Sequence, residues 1–177
     1  MEHVSTLSSA RDNRKASLRD WVTLTKPEIT FLVMISSLAG FVLASPESID
    51  GRRLLWTIIG ITLASAGGCA LNQYIERDFD AAMKRTASRP IPAGRITPES
   101  ARWFGALLVL AGVAVLCPLT NPLTGVMAAA TVALYLWVYT PLKRKTHLNT
   151  IVGTIPGALP ILGGWTAASG TFGWGGW

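Results

Sequence analysis

Three oxygen-bearing side chains recur at intervals of four residues where a long uncharged stretch of the sequence ends. Asn72, Glu76 and Asp80 lie within NQYIERDFDAAMKRTASRP, residues 72–90. On a continuing helix, side chains four residues apart share one face, whereas Asp78 points elsewhere. One amide and two carboxylates are hard oxygen ligands, which suit Mg²⁺ rather than zinc or copper. The spacing therefore predicts a magnesium site on one helix face.

A diphosphate is the expected guest of such a site. Mg²⁺ normally takes one or two carboxylates and completes its shell with water and substrate phosphates. Guanidinium groups bind phosphate oxygens in a bidentate way. The candidate diphosphate-binding residues lie on two loops: Lys84, Arg85 and Arg89 on the first, and Lys143 and Arg144 on the second.

The same charged run is also typical of a solvated loop beside a membrane, with ion pairs inside the loop. The placement of Asn72 argues against this alternative, because it lies close to the apolar segment, where a polar side chain is costly without a partner. The regular four-residue spacing also argues against a solvated loop. We therefore favour a binding site.

The composition predicts an all-α, polytopic transmembrane helical bundle. Half of the 177 residues are hydrophobic, and the mean hydropathy is +0.38. The uncharged windows are each long enough to cross a bilayer, and CPLTNP at residues 117–122 divides the longest one into a helical hairpin. Five segments are predicted, at about residues 27–44, 54–76, 103–119, 123–140 and 150–168.

The distribution of basic residues sets the expected orientation. With the N-terminus in the cytosol, all of the 16 Lys and Arg residues except Arg52 and Arg53 fall on the inner side, as the positive-inside rule requires. We expect a multi-pass protein of the cytoplasmic (inner) membrane with its site on the cytosolic side. Residues 1–20 are expected to be a cytosolic polar tail and residues 21–177 the membrane domain. The net charge of +6 follows from this topology, and no groove-reading motif supports nucleic-acid binding.

Four stretches of the sequence resemble the UbiA-type intramembrane prenyltransferases, and within that family the protohaem IX farnesyltransferase branch. Asn72, Glu76 and Asp80 occupy the defining positions of the family motif N-x-x-x-D-x-x-x-D, with Glu76 where Asp is usual. The extra methylene of Glu76 lengthens the reach of its carboxylate to a metal by about one bond. The stretches are LTKPEITFLVMISSLAGF (24–41), ALNQYIERDFDAAMKRTASRPIPAGRITP (70–98), YTPLKRKTHLN (139–149) and GALPILGGWTA (157–167).

The resemblance implies transfer of a farnesyl group from farnesyl diphosphate to the vinyl group of haem b, which gives haem O. It implies Mg²⁺ as cofactor, the motif side chains Asn72, Glu76 and Asp80 as metal ligands in catalysis, and farnesyl diphosphate, haem b and the lipid bilayer as partners. The family fold has nine helices and a second acidic cluster. After Asp80 the sequence contains one acidic residue, Glu99. We therefore expect an N-terminal part of the enzyme that needs a C-terminal half or a partner and is inactive alone.

The sequence is also compatible with other functions. The acceptor could be an aromatic quinone precursor, since acceptor choice depends on pocket walls. A non-catalytic membrane assembly subunit would be favoured by a partner that carries the second acidic cluster. A transporter or channel is disfavoured, because its polar groups belong near the membrane midplane rather than at one edge.

Overall fold

The structure is a computed structural model that describes residues 16–143 and 149–173. Every regular element in these residues is helical, which confirms the predicted all-α class. In chain order the helices are α1 (Leu18–Leu24), α2 (Pro27–Leu43), α3 (Gly51–Ala82), α4 (Pro98–Leu119), α5 (Pro122–Ala133), a π-helical turn (Leu134–Tyr139), α6 (Thr140–Leu142) and α7 (Asn149–Ser169).

The predicted segments match these helices closely, with one consequential difference. The hairpin at residues 117–122 is confirmed, since α4 ends at Leu119 and α5 begins at Pro122, capped by the side chain of Asn121. The second segment was predicted to end at Glu76, but α3 continues to Ala82. This extension keeps Asp80 on the same helix as Asn72.

Several of the helices have the length and composition of membrane spans. Within the described residues these are α3, α4 and the continuous run Pro122–Leu142, and α1 with α2 forms a fourth candidate if this pair, bent by 50°, counts as one span. α7 is helical over the fifth predicted segment but is not among these candidates. A fifth crossing therefore stays a prediction.

The predicted polar tail overlaps a helix that the sequence reasoning missed. α1 begins at Leu18 with a capping box, in which Ser17 accepts a hydrogen bond from the backbone of Asp20 and Asp20 accepts one from the backbone of Ser17. Arg95 Nε donates to Asp20 Oδ1 at 2.8 Å, which ties α1 to the loop before α4. The Ser-x-x-Asp pattern at residues 17–20 was the available signal.

Close approaches at glycine pack the bundle. A Cβ on Gly112 would lie 2.6 Å from the carbonyl oxygen of Gly60, so α3 and α4 touch through their backbones. α2 and α7 touch in the same way, since a Cβ on Gly164 would overlap the carbonyl group of Ser37, and one on Gly40 would overlap that of Ile161. Only glycine allows such contacts, and they fix the spacing of the helices around α3.

This packing predicts that Gly164→Ala destabilises the fold. The new methyl group would meet backbone rather than a side chain that can turn away, so α2 and α7 must separate, at a cost of about 1–3 kcal/mol. Gly157→Ala on the same helix is the matched control, because nothing lies within 4 Å of its Cβ position. Reversible unfolding in mixed micelles should show a loss for Gly164→Ala alone. Equal stability of the two variants would contradict the close α2–α7 contact.

Candidate active site

One face of α3 carries the three side chains that the sequence singled out. Asn72, Glu76 and Asp80 are 1%, 4% and 1% exposed, whereas Asp78 is exposed. The prediction that these three share a face that Asp78 does not is confirmed. We call Asn72, Glu76 and Asp80 the polar stripe.

Each member of the polar stripe contacts a cationic side chain from a different part of the chain. Lys26 Nζ, at the start of α2, donates to Asn72 Oδ1 at 2.9 Å. Lys143 Nζ, just after α6, lies 2.7 Å from Oε2 of Glu76. In the loop between α3 and α4, Arg89 Nη1 donates to Asp80 Oδ2 at 2.6 Å. The polar stripe therefore gathers three cations from three separate segments.

A second contact fixes the orientation of the Asn72 amide. Its Nδ2 donates to Thr140 Oγ1 at 3.1 Å, and Thr140 Oγ1 donates to the carbonyl oxygen of Tyr135 at 2.8 Å. Thr140 directly follows the π-helical turn and is fully buried. A π-helical turn shifts the residues that follow it around the helix axis, a device that is frequent at functional sites. Here it brings a hydroxyl group against the amide.

The junction of α1 and α2 is held against α3 in an unusual conformation. Lys26 has φ +46°, and it is the only non-glycine residue with positive φ in the described part of the chain. For a residue with a Cβ this conformation costs about 1 kcal/mol. Gln73 Nε2 donates to the carbonyl oxygens of Thr23 and Leu24 at 3.0 and 3.1 Å, which anchors the junction. Together these features place the Lys26 ammonium at Asn72.

The predicted diphosphate-binding residues separate into two groups. Arg89 and Lys143 reach the polar stripe, as described above. Lys84 and Arg85 are exposed and form no ion pair within residues 16–143 and 149–173. Arg144 lies outside the described residues.

An apolar cavity of about 270 Å³ lies along the same face of α3 and begins at Cys69, about one helical turn from Asn72. Cys69, Gly68, Ser65 and Ile61 line its α3 wall, and α2, α5, the π-helical turn and α7 supply the others. Pro156 and Pro160, the two prolines inside α7, contribute to the lining. Tyr135 and Tyr139, whose rings stack with centroids 5.9 Å apart, line the end nearest the polar stripe.

The polar stripe offers the oxygen ligands that Mg²⁺ prefers, but the spacing of its side chains limits how one ion could bind. Successive members are about 6 Å apart along the helix axis, and Mg²⁺ bonds oxygen at about 2.1 Å. One ion can therefore be shared by neighbouring members, but not by Asn72 and Asp80 directly. The described residues hold no group of three His, Cys, Asp or Glu side chains that could share a metal. The remaining ligands would have to be water or phosphate oxygens.

Sequence reasoning missed Thr140 and Gln73. Gln73 lies beside Asn72, but its role depends on where the α1–α2 junction falls. The one available signal for Thr140 was its place in the stretch YTPLKRKTHLN, residues 139–149. Both residues are buried polar groups whose partners lie more than 40 residues away in the chain.

The ion pair of Asp80 generates a stability prediction. Asp80→Ala should leave the half-buried Arg89 guanidinium without its carboxylate, at a cost of about 2–3 kcal/mol in the free energy of unfolding. Asp78→Ala is the matched control, because Asp78 is exposed and its contact with Arg77 is 3.7 Å long. Its effect should stay within about 0.5 kcal/mol. Thermal unfolding in detergent measures both, and equal losses would contradict the structural role of the Asp80–Arg89 pair.

Comparison with known proteins identifies the family and the fold. The profile of the UbiA prenyltransferase family matches residues 33–177. A solved structure from work on digeranylgeranylglyceryl phosphate synthase in membranes has the same fold, with a TM-score of 0.75 and 20% identity over 85% of this chain and 53% of its own.

Two similar relatives carry the name protoheme IX farnesyltransferase. The protein of Salinibacter ruber is 57% identical over 90% of this chain and 56% of its own length. That of Solibacter usitatus is 44% identical over 86% of this chain and 56% of its own. This chain thus spans about half the length of the curated relatives that it matches. The family match covers most of the chain, which therefore belongs to the UbiA prenyltransferase family.

Proposed function

We propose that this chain supplies part of the active site of an enzyme that transfers a farnesyl group from farnesyl diphosphate to a vinyl group of haem b. The observation that carries the proposal is the single face of α3, on which an apolar cavity begins about one helical turn from the polar stripe. A prenyl diphosphate has the same division into a charged head and an apolar tail. The names of the relatives support haem b as the acceptor.

The polar stripe and its cations would bind the diphosphate. Neighbouring members, Asn72 with Glu76 or Glu76 with Asp80, would hold Mg²⁺, which when bound neutralises charge that builds up on the leaving diphosphate. Arg89 and Lys143 already lie at the stripe, so they would turn to the phosphate oxygens as the carboxylates take up other ligands. Lys84, Arg85 and Arg144 would add positive charge from the two loops.

The cavity would hold the farnesyl chain and keep water away from its reactive carbon. Transfer breaks the bond between this carbon and the diphosphate oxygen and leaves an allylic cation. Tyr135 and Tyr139 line the cavity, and their aromatic rings would stabilise a nearby positive charge. The vinyl group of haem b then forms the new carbon–carbon bond, which leaves the positive charge on the carbon beside the porphyrin ring. Water adds to this carbon and loses a proton to the released diphosphate or to solvent, which gives the hydroxyethylfarnesyl group of haem O. Exclusion of water until that stage protects the cation.

The proposed setting is the cytoplasmic membrane, with the polar stripe on the cytosolic side. The asymmetric distribution of Lys and Arg along the sequence supports this orientation. Soluble farnesyl diphosphate would then reach the charged end of the site from the cytosol, and its tail would enter the cavity between the helices.

A chimera with the second half of a relative tests the proposed function. We would join it to the C-terminal part of the Salinibacter ruber relative, which is 57% identical in the shared region. Haem O would be measured by chromatography and mass spectrometry in membranes that lack their own synthase. The chimera should make haem O, and Asn72→Ala or Asp80→Ala should each lower the rate by at least about 100-fold. Asp78→Ala should keep it, and the 177-residue chain alone should make none.

Three results of that assay would contradict parts of the proposal. Prenylation of an aromatic quinone precursor, with none of haem b, would replace the proposed acceptor. Full activity in the Asn72→Ala and Asp80→Ala chimeras would contradict the role of the polar stripe. Haem O made by the 177-residue chain alone would contradict the expected dependence on a second half.

Substitutions at Glu76 test the proposed magnesium ligand. In the chimera, Glu76→Asp keeps the carboxylate and shortens its reach by one methylene, so it should retain activity. Glu76→Gln keeps the length but loses the charge that holds a divalent cation, so it should lose activity and need more Mg²⁺ for half-maximal rate. Titration of Mg²⁺ after treatment with a chelator measures this need. An unchanged Mg²⁺ requirement in Glu76→Gln would exclude Glu76 as a ligand.

A further inference from the structure

Side chains from three helices meet across the far end of the cavity, opposite the polar stripe. Ile61 of α3 is 6% exposed, and its Cδ1 lies 3.8 Å from the position of a Cβ on Gly163, so it reaches across to α7. Thr124 of α5 and Thr166 of α7 are fully buried, with their hydroxyl oxygens 3.3 Å apart. These two contacts join α3, α5 and α7 across the end of the cavity.

The helices also pack directly against each other around these contacts. Asn121 Nδ2, at the start of α5, donates to the carbonyl oxygen of Thr166 at 2.8 Å. α2 and α7 are in backbone contact at Gly40 and Gly164, where neither position has room for a methyl group. Ile61 is therefore the last α3 side chain that a guest in the cavity would meet.

The distance from the polar stripe to Ile61 matches the length of a farnesyl group. Ile61 is eight residues from Cys69 and eleven from Asn72, or about 12 and 16 Å along the helix axis at about 1.5 Å per residue. A bond in an extended chain advances about 1.2 Å, so the twelve main-chain carbons of a farnesyl group reach about 14 Å. The sixteen of a geranylgeranyl group reach about 19 Å, which exceeds the available length.

We propose that Ile61 limits the prenyl chain that this cavity accepts to about fifteen carbons. The Ile61 side chain blocks a longer prenyl chain because Gly163 leaves it space to extend to α7. The Thr124–Thr166 pair holds α5 and α7 together beside it. This inference rests on the proposed function, since it takes the tail of a prenyl diphosphate as the occupant of the cavity.

Binding to the 177-residue chain in lipid nanodiscs tests the proposal. Dissociation constants for geranyl, farnesyl and geranylgeranyl diphosphate would be measured by calorimetry with Mg²⁺ present. The parent chain should bind the geranylgeranyl compound no more tightly than the farnesyl compound. Ile61→Ala should shift this ratio about tenfold towards geranylgeranyl, since several more carbons find room, and Ile61→Val should shift it less. Partition into the bilayer is common to all variants and cancels in the comparison.

Ile29→Ala is the matched control. It makes the same change in the same cavity, but Ile29 lies on α2 three residues after Lys26, near the polar end. It should weaken binding of all three compounds alike and leave their ratio unchanged. Circular dichroism and thermal unfolding check that each variant folds. A ratio that changes no more in Ile61→Ala than in Ile29→Ala would overturn the proposal.

The alcohols farnesol and geranylgeraniol separate this inference from the proposed function, because they lack the diphosphate. A length shift in Ile61→Ala with the alcohols, without any gain in affinity from Mg²⁺ with the diphosphates, would support the length limit and contradict the proposed function. Mg²⁺-dependent binding of the diphosphates with no length shift would contradict the length limit alone. No binding of either class would contradict both.

Discussion

α3 is an apolar helix that carries three buried polar side chains at one end. The rest of the structure depends on the partners that satisfy these side chains. Burial of a carboxylate is costly unless an opposite charge and further hydrogen bonds satisfy it. α3 meets this requirement by drawing one cation from the α1–α2 junction, one from the loop before α4 and one from the residue after α6. The polar stripe thereby fixes how four separate parts of the chain meet.

The glycine contacts and the cavity both depend on how the helices pack around α3. Backbone contact at Gly60 and Gly112 seats α4 on one side of α3, and α2 and α7 meet at Gly40 and Gly164. The helices that are packed in this way leave an apolar space on the face of α3 that carries the polar stripe. Because that face bears small residues such as Gly68 and Ser65 above the stripe, the space is not filled by α3 itself.

The features predicted from sequence are those set by local rules. Helix type, the hairpin at residues 117–122 and the shared face of Asn72, Glu76 and Asp80 follow from hydropathy, proline position and helical period. The end of α3 was misplaced because charge was read as the end of the membrane segment, whereas the helix continues through it. The contacts of Thr140, Gln73 and Ile61 could not be predicted, since each joins positions 40 to 110 residues apart whose approach depends on the complete packing.

The charge balance of the site bears on the order in which ligands would bind under the proposed function. One amide and two carboxylates face three cations, so the described site carries a net charge of about +1 with every group ionised. A bare Mg²⁺ would have to compete with Lys143 and Arg89 for the carboxylates. A diphosphate would instead draw these cations towards itself and leave the carboxylate oxygens for the metal. The arrangement therefore favours entry of Mg²⁺ together with the diphosphate over entry of the metal first.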